Sequence, residues 1–183
     1  TIYVNQPGDD NHFAASELNA TVTVLTKELE VIAHPSSKAY LEPIPELIYN
    51  YEGFVYEENA SVLSQQATIA TDANASSPAG IYPITVSDAN ASDYHFHYLG
   101  SELTIGEGAQ HLTDFHVDSN ATYGSEPLQL EAHASSGLAV SFTSSNPDVL
   151  EVNGMEAIVR GAGVATIYVN QPGDDNHFAA SEL

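Results

Sequence analysis

Two histidines, His95 and His97, stand two residues apart in Tyr94-His95-Phe96-His97-Tyr98. In an extended strand, residues i and i+2 share a face. Both imidazoles then point the same way, an arrangement usable by Zn²⁺. No third ligand is fixed nearby in sequence, so the competing account is a solvent-facing pair opposite a Tyr/Phe/Tyr core stripe. A second candidate is acidic. Asp9-Asp10-Asn11 recurs as Asp174-Asp175-Asn176, and oxygen-rich turns of this kind suit Ca²⁺. Calcium held by Asp9, Asp10, Asp174 or Asp175 near a domain joint would neutralise repulsion and stiffen the chain. The alternative is a solvated turn after Pro-Gly. Asp88-Ala89-Asn90-Ala91-Ser92-Asp93 also begins like a calcium loop. It lacks the mid-loop Gly, however, and Leu99 falls where an EF-hand needs a bidentate Glu. A third candidate is aromatic. Tyr40, Tyr49, Tyr51, Phe54 and Tyr56 cluster in sequence, and Tyr51 and Phe54 are the residues that would bind a sugar or a protein ligand. Filling of a sandwich core is the competing use.

Catalytic chemistry has little to stand on. There is no Gly-x-Ser-x-Gly elbow and no Gly-rich phosphate loop before a helix. Glu57-Glu58 lies in a polar run without an apolar pocket to shift a carboxyl group. The expectation is a non-enzyme with no catalytic residues and no required cofactor. Five Asn-Ala-Ser/Thr triplets begin at Asn19, Asn59, Asn74, Asn90 and Asn120. They fit N-glycosylation in a secreted eukaryotic chain and turn or strand-edge chemistry in a bacterial one.

The elements that must position these groups are strands. Apolar and polar residues alternate in Thr21–Val24, Leu128–His133, Glu102–Ile105 and Thr166–Val169, the period of a half-buried strand. Val, Ile, Thr and Tyr suit that role. Turn signals rich in Gly, Pro, Asn and Asp recur between them. Asn153-Gly154 predicts a type I′ hairpin between Val149–Val152 and Glu156–Arg160. One helical turn within Glu57–Ser64 is the most helix expected. The fold class is therefore all-β, built of antiparallel β-sandwiches.

Composition narrows the partners. The formal charge is −22, with only Lys27, Lys38 and Arg160 opposing 25 acids spread along the chain. A nucleic-acid binder needs a basic stripe, so nucleic acid is excluded as a partner. Anionic lipid is disfavoured, and no apolar run approaches 18 residues, so this segment inserts no span into a membrane. There is no cysteine, so cores alone must hold the fold.

Residues 1–18 read TIYVNQPGDDNHFAASEL, and residues 166–183 repeat them without change. Such identity is the mark of a repeat array, with one unit spanning 19–183. Gly106-Glu107-Gly108 reads as a joint relaxed by its glycines, whereas Ser16–Ala20 has no Gly or Pro and reads as a stiff one. The expected plan is 1–18 as the last strands of a preceding repeat, 19–108 as one sandwich and 109–183 as a second, end to end. Ile2, Val4 and Phe13 would then lack a core, and the segment would fray or pair with an exposed sheet edge. Secretion and anchoring signals are expected elsewhere in a longer parent chain.

Two resemblances follow from particular residues. Ser37-Lys38-Ala39-Tyr40, Ala79–Ser87 and Ala91–Ile105 resemble the MBG-type sandwich modules of large bacterial surface proteins, covering residues 19–106. That family usually has Tyr-Gly-Asp where Tyr40-Leu41-Glu42 stands here. Residues 111–183 resemble a bacterial immunoglobulin-like (Big) module through Thr122–Pro127, Ala134–Pro147 and Gly161–Ile167. The resemblance implies an extracellular stalk or spacer repeat of a bacterial cell-surface adhesin. Its partners would be adjacent repeats of the same chain. A multivalent module binding a host or surface glycan or protein is the alternative.

Overall fold

The computed structural model describes residues 1–180. It is all-β apart from one 3₁₀ turn, in agreement with the alternating pattern except at Thr21–Val24, which alternates but forms no strand and leaves Val22 and Val24 exposed, with no core beside them to bury one face. In chain order the strands are β1 (Ile2–Val4), β2 (Leu18–Ala20), β3 (Lys27–Ala33), β4 (Ser36–Ala39), β5 (Tyr49–Glu52), β6 (Thr68–Thr71), β7 (Gly80–Ser87) and β8 (Tyr94–Leu99). They continue as β9 (Ser101–Gly106), β10 (Leu112–His116), β11 (Leu128–Gln129), β12 (Glu131–Ala134), β13 (Ser141–Ser144), β14 (Leu150–Asn153), β15 (Glu156–Val159) and β16 (Ile167–Asn170).

The chain forms two compact units. The first comprises Thr1–Ile32, Tyr49–Thr68 and Val86–Leu99. Its sheet runs β5-β3-β8. Leu29 and Val31 of β3 and Tyr94 of β8 are buried, while Glu28 and Glu30 point outward from alternate positions. β3 and β8 pair in parallel, aligning Glu28 with His95 and Glu30 with His97. Parallel pairing departs from the purely antiparallel expectation. It needs a long crossover, and the chain between Ala33 and Tyr94 supplies one. The helical expectation shrinks to Ala60–Val62, where the Asn59 side chain accepts from the Ser61 amide.

The second unit comprises Ala33–Ile48, Ile69–Thr85 and the chain from Gly100 onward. One sheet runs β4-β9-β7-β6, again with a parallel pair, β4 with β9. Ile84, Leu103 and Ile105 are buried in it. The remaining strands form β10-β12, β11-β15-β14 and β13-β16, all antiparallel. Their core holds Leu112, Leu130, Phe142, Ala157, Ile167 and Val169, ringed by Phe115, Val140 and Val152.

Three local features refine the sequence expectations. The β14–β15 turn places Gly154 and Met155 at its centre, since Asn153 pairs with Glu156. Only Gly154 has positive φ, 64°, the pattern of a type II′ turn and not the expected I′. Lys38 is buried, and its ammonium donates to the carbonyls of Ala39, Glu42 and Ala75 at 3.4, 3.0 and 3.0 Å. Next to it, Leu41 takes φ 65°, the left-handed region that favours glycine. The turn is closed by the Glu42 amide on the Ala39 carbonyl, 3.2 Å, and by the Ala39 amide on the Glu42 carboxylate, 2.9 Å.

Residues 1–18 carry no core of their own. β1 pairs with β2, aligning Ile2 with Ala20 and Val4 with Leu18, yet Ile2 and Val4 each remain 64% exposed. Their duplicates Ile167 and Val169, on β16 against β13, are 8% and 0% exposed. Residues 1–18 therefore find a strand partner without finding a core.

Candidate functional site

The loop after β16 is built in layers. Gly173 has φ +84°, and a Cβ there would sit 2.2 Å from the His177 carbonyl. Only glycine fits. Asp174 and His177 then close a two-bond bridge through their backbones, 3.1 and 3.3 Å. The Asp174 carboxylate accepts from the Asn176 amide at 2.9 Å and contacts His177 Nδ1 at 2.8 Å. The hydrogen bond with His177, and then that from the Asn176 amide, hold the Asp174 carboxyl below its ordinary value of 3.8. These are local interactions, and residues 6–13 reproduce them. Asp9 accepts from the Asn11 amide at 2.9 Å and contacts His12 at 2.8 Å, with its carboxyl likewise lowered, first by Asn11 and then by His12.

What differs is the surroundings. Gln171 is buried, and its Oε1 accepts from Gln110 Nε2 at 2.5 Å and from the Gly173 amide at 2.6 Å. Gln110, also buried, donates to the Phe178 carbonyl at 2.6 Å and accepts from the Ser136 hydroxyl at 2.5 Å. So pinned, the loop reaches the residues that close the 19–108 segment. The Gly108 amide donates to the Asn176 carbonyl at 2.8 Å, and the Phe178 amide donates to the Gly108 carbonyl at 3.0 Å. The Asn176 side chain accepts from the Ala79 amide at 2.8 Å. The His177 ring meets Tyr40 edge-on, centroids 5.1 Å apart. His177 is 12% exposed, against 76% for His12.

Gly108 thus serves a different purpose from the relaxation expected of it. A Cβ there would lie 3.1 Å from the Tyr40 carbonyl, so glycine allows close approach. Sequence reasoning marked Asp174, Asp175 and Asn176 and missed Gln110 and Gln171. The signal available was the isolated polar pair Gln110/Gln171 at the edges of apolar strands.

Asp9 and Asp174 each contact the histidine three residues on, His12 and His177; elsewhere, Glu28, Glu30 and His97 bring ligand atoms within 4.8 Å of one another. Tyr51 and Phe54 are half-buried in a row of rings, Tyr49–Tyr51–Phe54–Tyr94, with centroids 5.5 to 5.8 Å apart. Tyr49 donates to the Ala67 carbonyl at 2.8 Å, and Tyr51 accepts from the Ala67 amide at 2.7 Å. Burial raises the Tyr51 phenol. Tyr94 donates to Glu58 at 2.5 Å, which raises its phenol in turn. These rings brace the first unit. Of the triplets, Asn59 and Asn74 spend their side chains on turns, Asn74 accepting from the Ser76 amide and hydroxyl at 2.9 and 2.8 Å. A cleft of about 420 Å³ in the second unit, lined by Val117, Leu128, Val149 and Ile167, holds Asp118 and Tyr123 as its only titratable side chains.

Residues 29–104 match the family model of the MBG domain (YGX type). That span includes the Lys38 turn, with Leu41 standing in the glycine place. A search of the curated proteins returned no match.

Proposed function

We propose that this chain is an extension segment of a bacterial cell-surface adhesin, a spacer whose repeats hold a distal binding domain away from the cell. The observation that carries it is the pinned 171–178 loop. Residues 19–108 and 109–183 are read as an MBG-type module followed by an immunoglobulin-like one. They meet through two backbone hydrogen bonds on Gly108, a side-chain bond from Asn176 to Ala79 and a ring contact on Tyr40. A connection so tied leaves few orientations, unlike a free Gly/Ser linker. The exact repeat at residues 1–18 supplies the other half of the logic, since length in such arrays grows by adding copies. Like charge, −22 per chain, opposes side-by-side association within a screening length of about 8 Å.

Small-angle scattering on polymers of residues 19–183 tests the proposal, because a spacer must lengthen as copies are added. A glycan array tests the ligand-binding alternative. A hit lost on Tyr51→Ala and Phe54→Ala, with folding intact, would replace the spacer proposal.

A further inference from the structure

The parallel register of β3 and β8 does something the sequence spacing could not. It sets two carboxylates beside two imidazoles on the outward face of one sheet, Glu28 opposite His95 and Glu30 opposite His97. Glu30 Oε1 lies 3.7 Å from His97 Nδ1, and Glu28 Oε2 lies 3.4 Å from His95 Nε2. His95 Nδ1 is in turn 3.2 Å from the Thr26 hydroxyl. The four side chains are partly exposed, between 39% and 54%. Among the described residues neither carboxylate has a Lys or Arg partner.

We propose that Glu28, Glu30 and His97 form a binding site for a divalent ion of the zinc class. Their ligand atoms lie within 4.8 Å of one another. Ligands around a tetrahedral zinc stand roughly 3.4 Å apart, given bonds of about 2.0–2.2 Å. Exposed Glu and His side chains close the remaining distance by small rotations. Imidazole with carboxylate suits zinc, copper or nickel, whereas calcium and magnesium take oxygen alone. His95 holds the Glu28 carboxylate in place and is a positioning residue. The rigid sheet preforms the site, and the strongly negative chain favours any cation near it. This site lies apart from the 171–178 loop, so its failure would leave the spacer proposal standing.

The test is calorimetric titration of ZnCl₂ into the metal-free chain at neutral pH, with CaCl₂ as a parallel arm. The expected result is one zinc equivalent whose affinity falls at least about tenfold in both His97→Gln and Glu30→Gln. The metal-free melting temperatures should stay unchanged. His133→Gln, removing a histidine whose ring nitrogen lies 3.9 Å from Asp114 on another sheet, should bind as the parent does. Absence of zinc binding overturns the proposal. So does unchanged affinity in both variants, an equal loss in His133→Gln, or displacement of zinc by equimolar calcium.

Discussion

Asn176 and Asn11 are the same residue in the same loop, and only Asn176 has the Ala79 amide to hold. Asn176→Ala should cost about 1 kcal/mol, the usual worth of one such bond. Asn11→Ala should leave the melting temperature unchanged, and thermal unfolding of the two variants side by side measures the difference. Asp174 adds a pH dependence of definite sign. Its carboxyl is held below 3.8 in the folded chain, so its contribution is complete above that value. It is lost as pH falls through the lowered one. The gap in melting temperature between the parent and Asp174→Asn should therefore be full at pH 7 and close below pH 3.8. Leu41 points the other way. A left-handed non-glycine residue costs of order 1 kcal/mol, and Leu41 is 59% exposed and packs little. Leu41→Gly should raise stability by about 1 kcal/mol in chemical denaturation. The departure from Tyr-Gly-Asp was visible in the sequence. That the leucine accepts the glycine's backbone angle was not, because propensity alone argues against it.

At the scale of elements, the two copies of Thr-Ile-Tyr-Val show how context decides burial. β16 lies against β13 with Val169 opposite Phe142, and Val169 is fully buried. β1 has only β2 and leaves Val4 largely exposed. Val169→Ala should cost about 2 kcal/mol, while Val4→Ala should stay within a few tenths in the same denaturation experiment. Period-two alternation made β8, β9, β12 and β16 legible, because side-chain direction in a strand is a local property, though the same alternation at Thr21–Val24 forms no strand. Partner choice is not local. Nothing in Lys27–Ala33 or Tyr94–Leu99 says that they pair in parallel, so the Glu28/Glu30/His97 grouping could not be read from either segment. The β14–β15 hairpin was legible in place but slipped by one residue in register. Asn-Gly permits positive φ at both positions, and the pairing of Asn153 with Glu156 used only Gly154.

At the scale of the molecule, the duplicated 18 residues are an internal control. Residues 181–183, the end of the second copy, lie outside the described residues. Over the rest, the loop's own hydrogen bonds form in both copies, and its outward contacts form in one. The Asp174 carboxylate, in the turn whose acids suit calcium, also closes that loop through Asn176 and His177. The repeat was legible at once. The fastening was not, since it depends on Gln110, Gln171 and Gly108 meeting across distances in sequence that no motif spans. The most direct measurement is small-angle scattering on polymers of two, four and eight copies of residues 19–183. The spacer account predicts that maximum dimension doubles with each doubling of copy number. Growth by only about the square root of two, as for a flexible chain, or a compact particle of constant shape would contradict it.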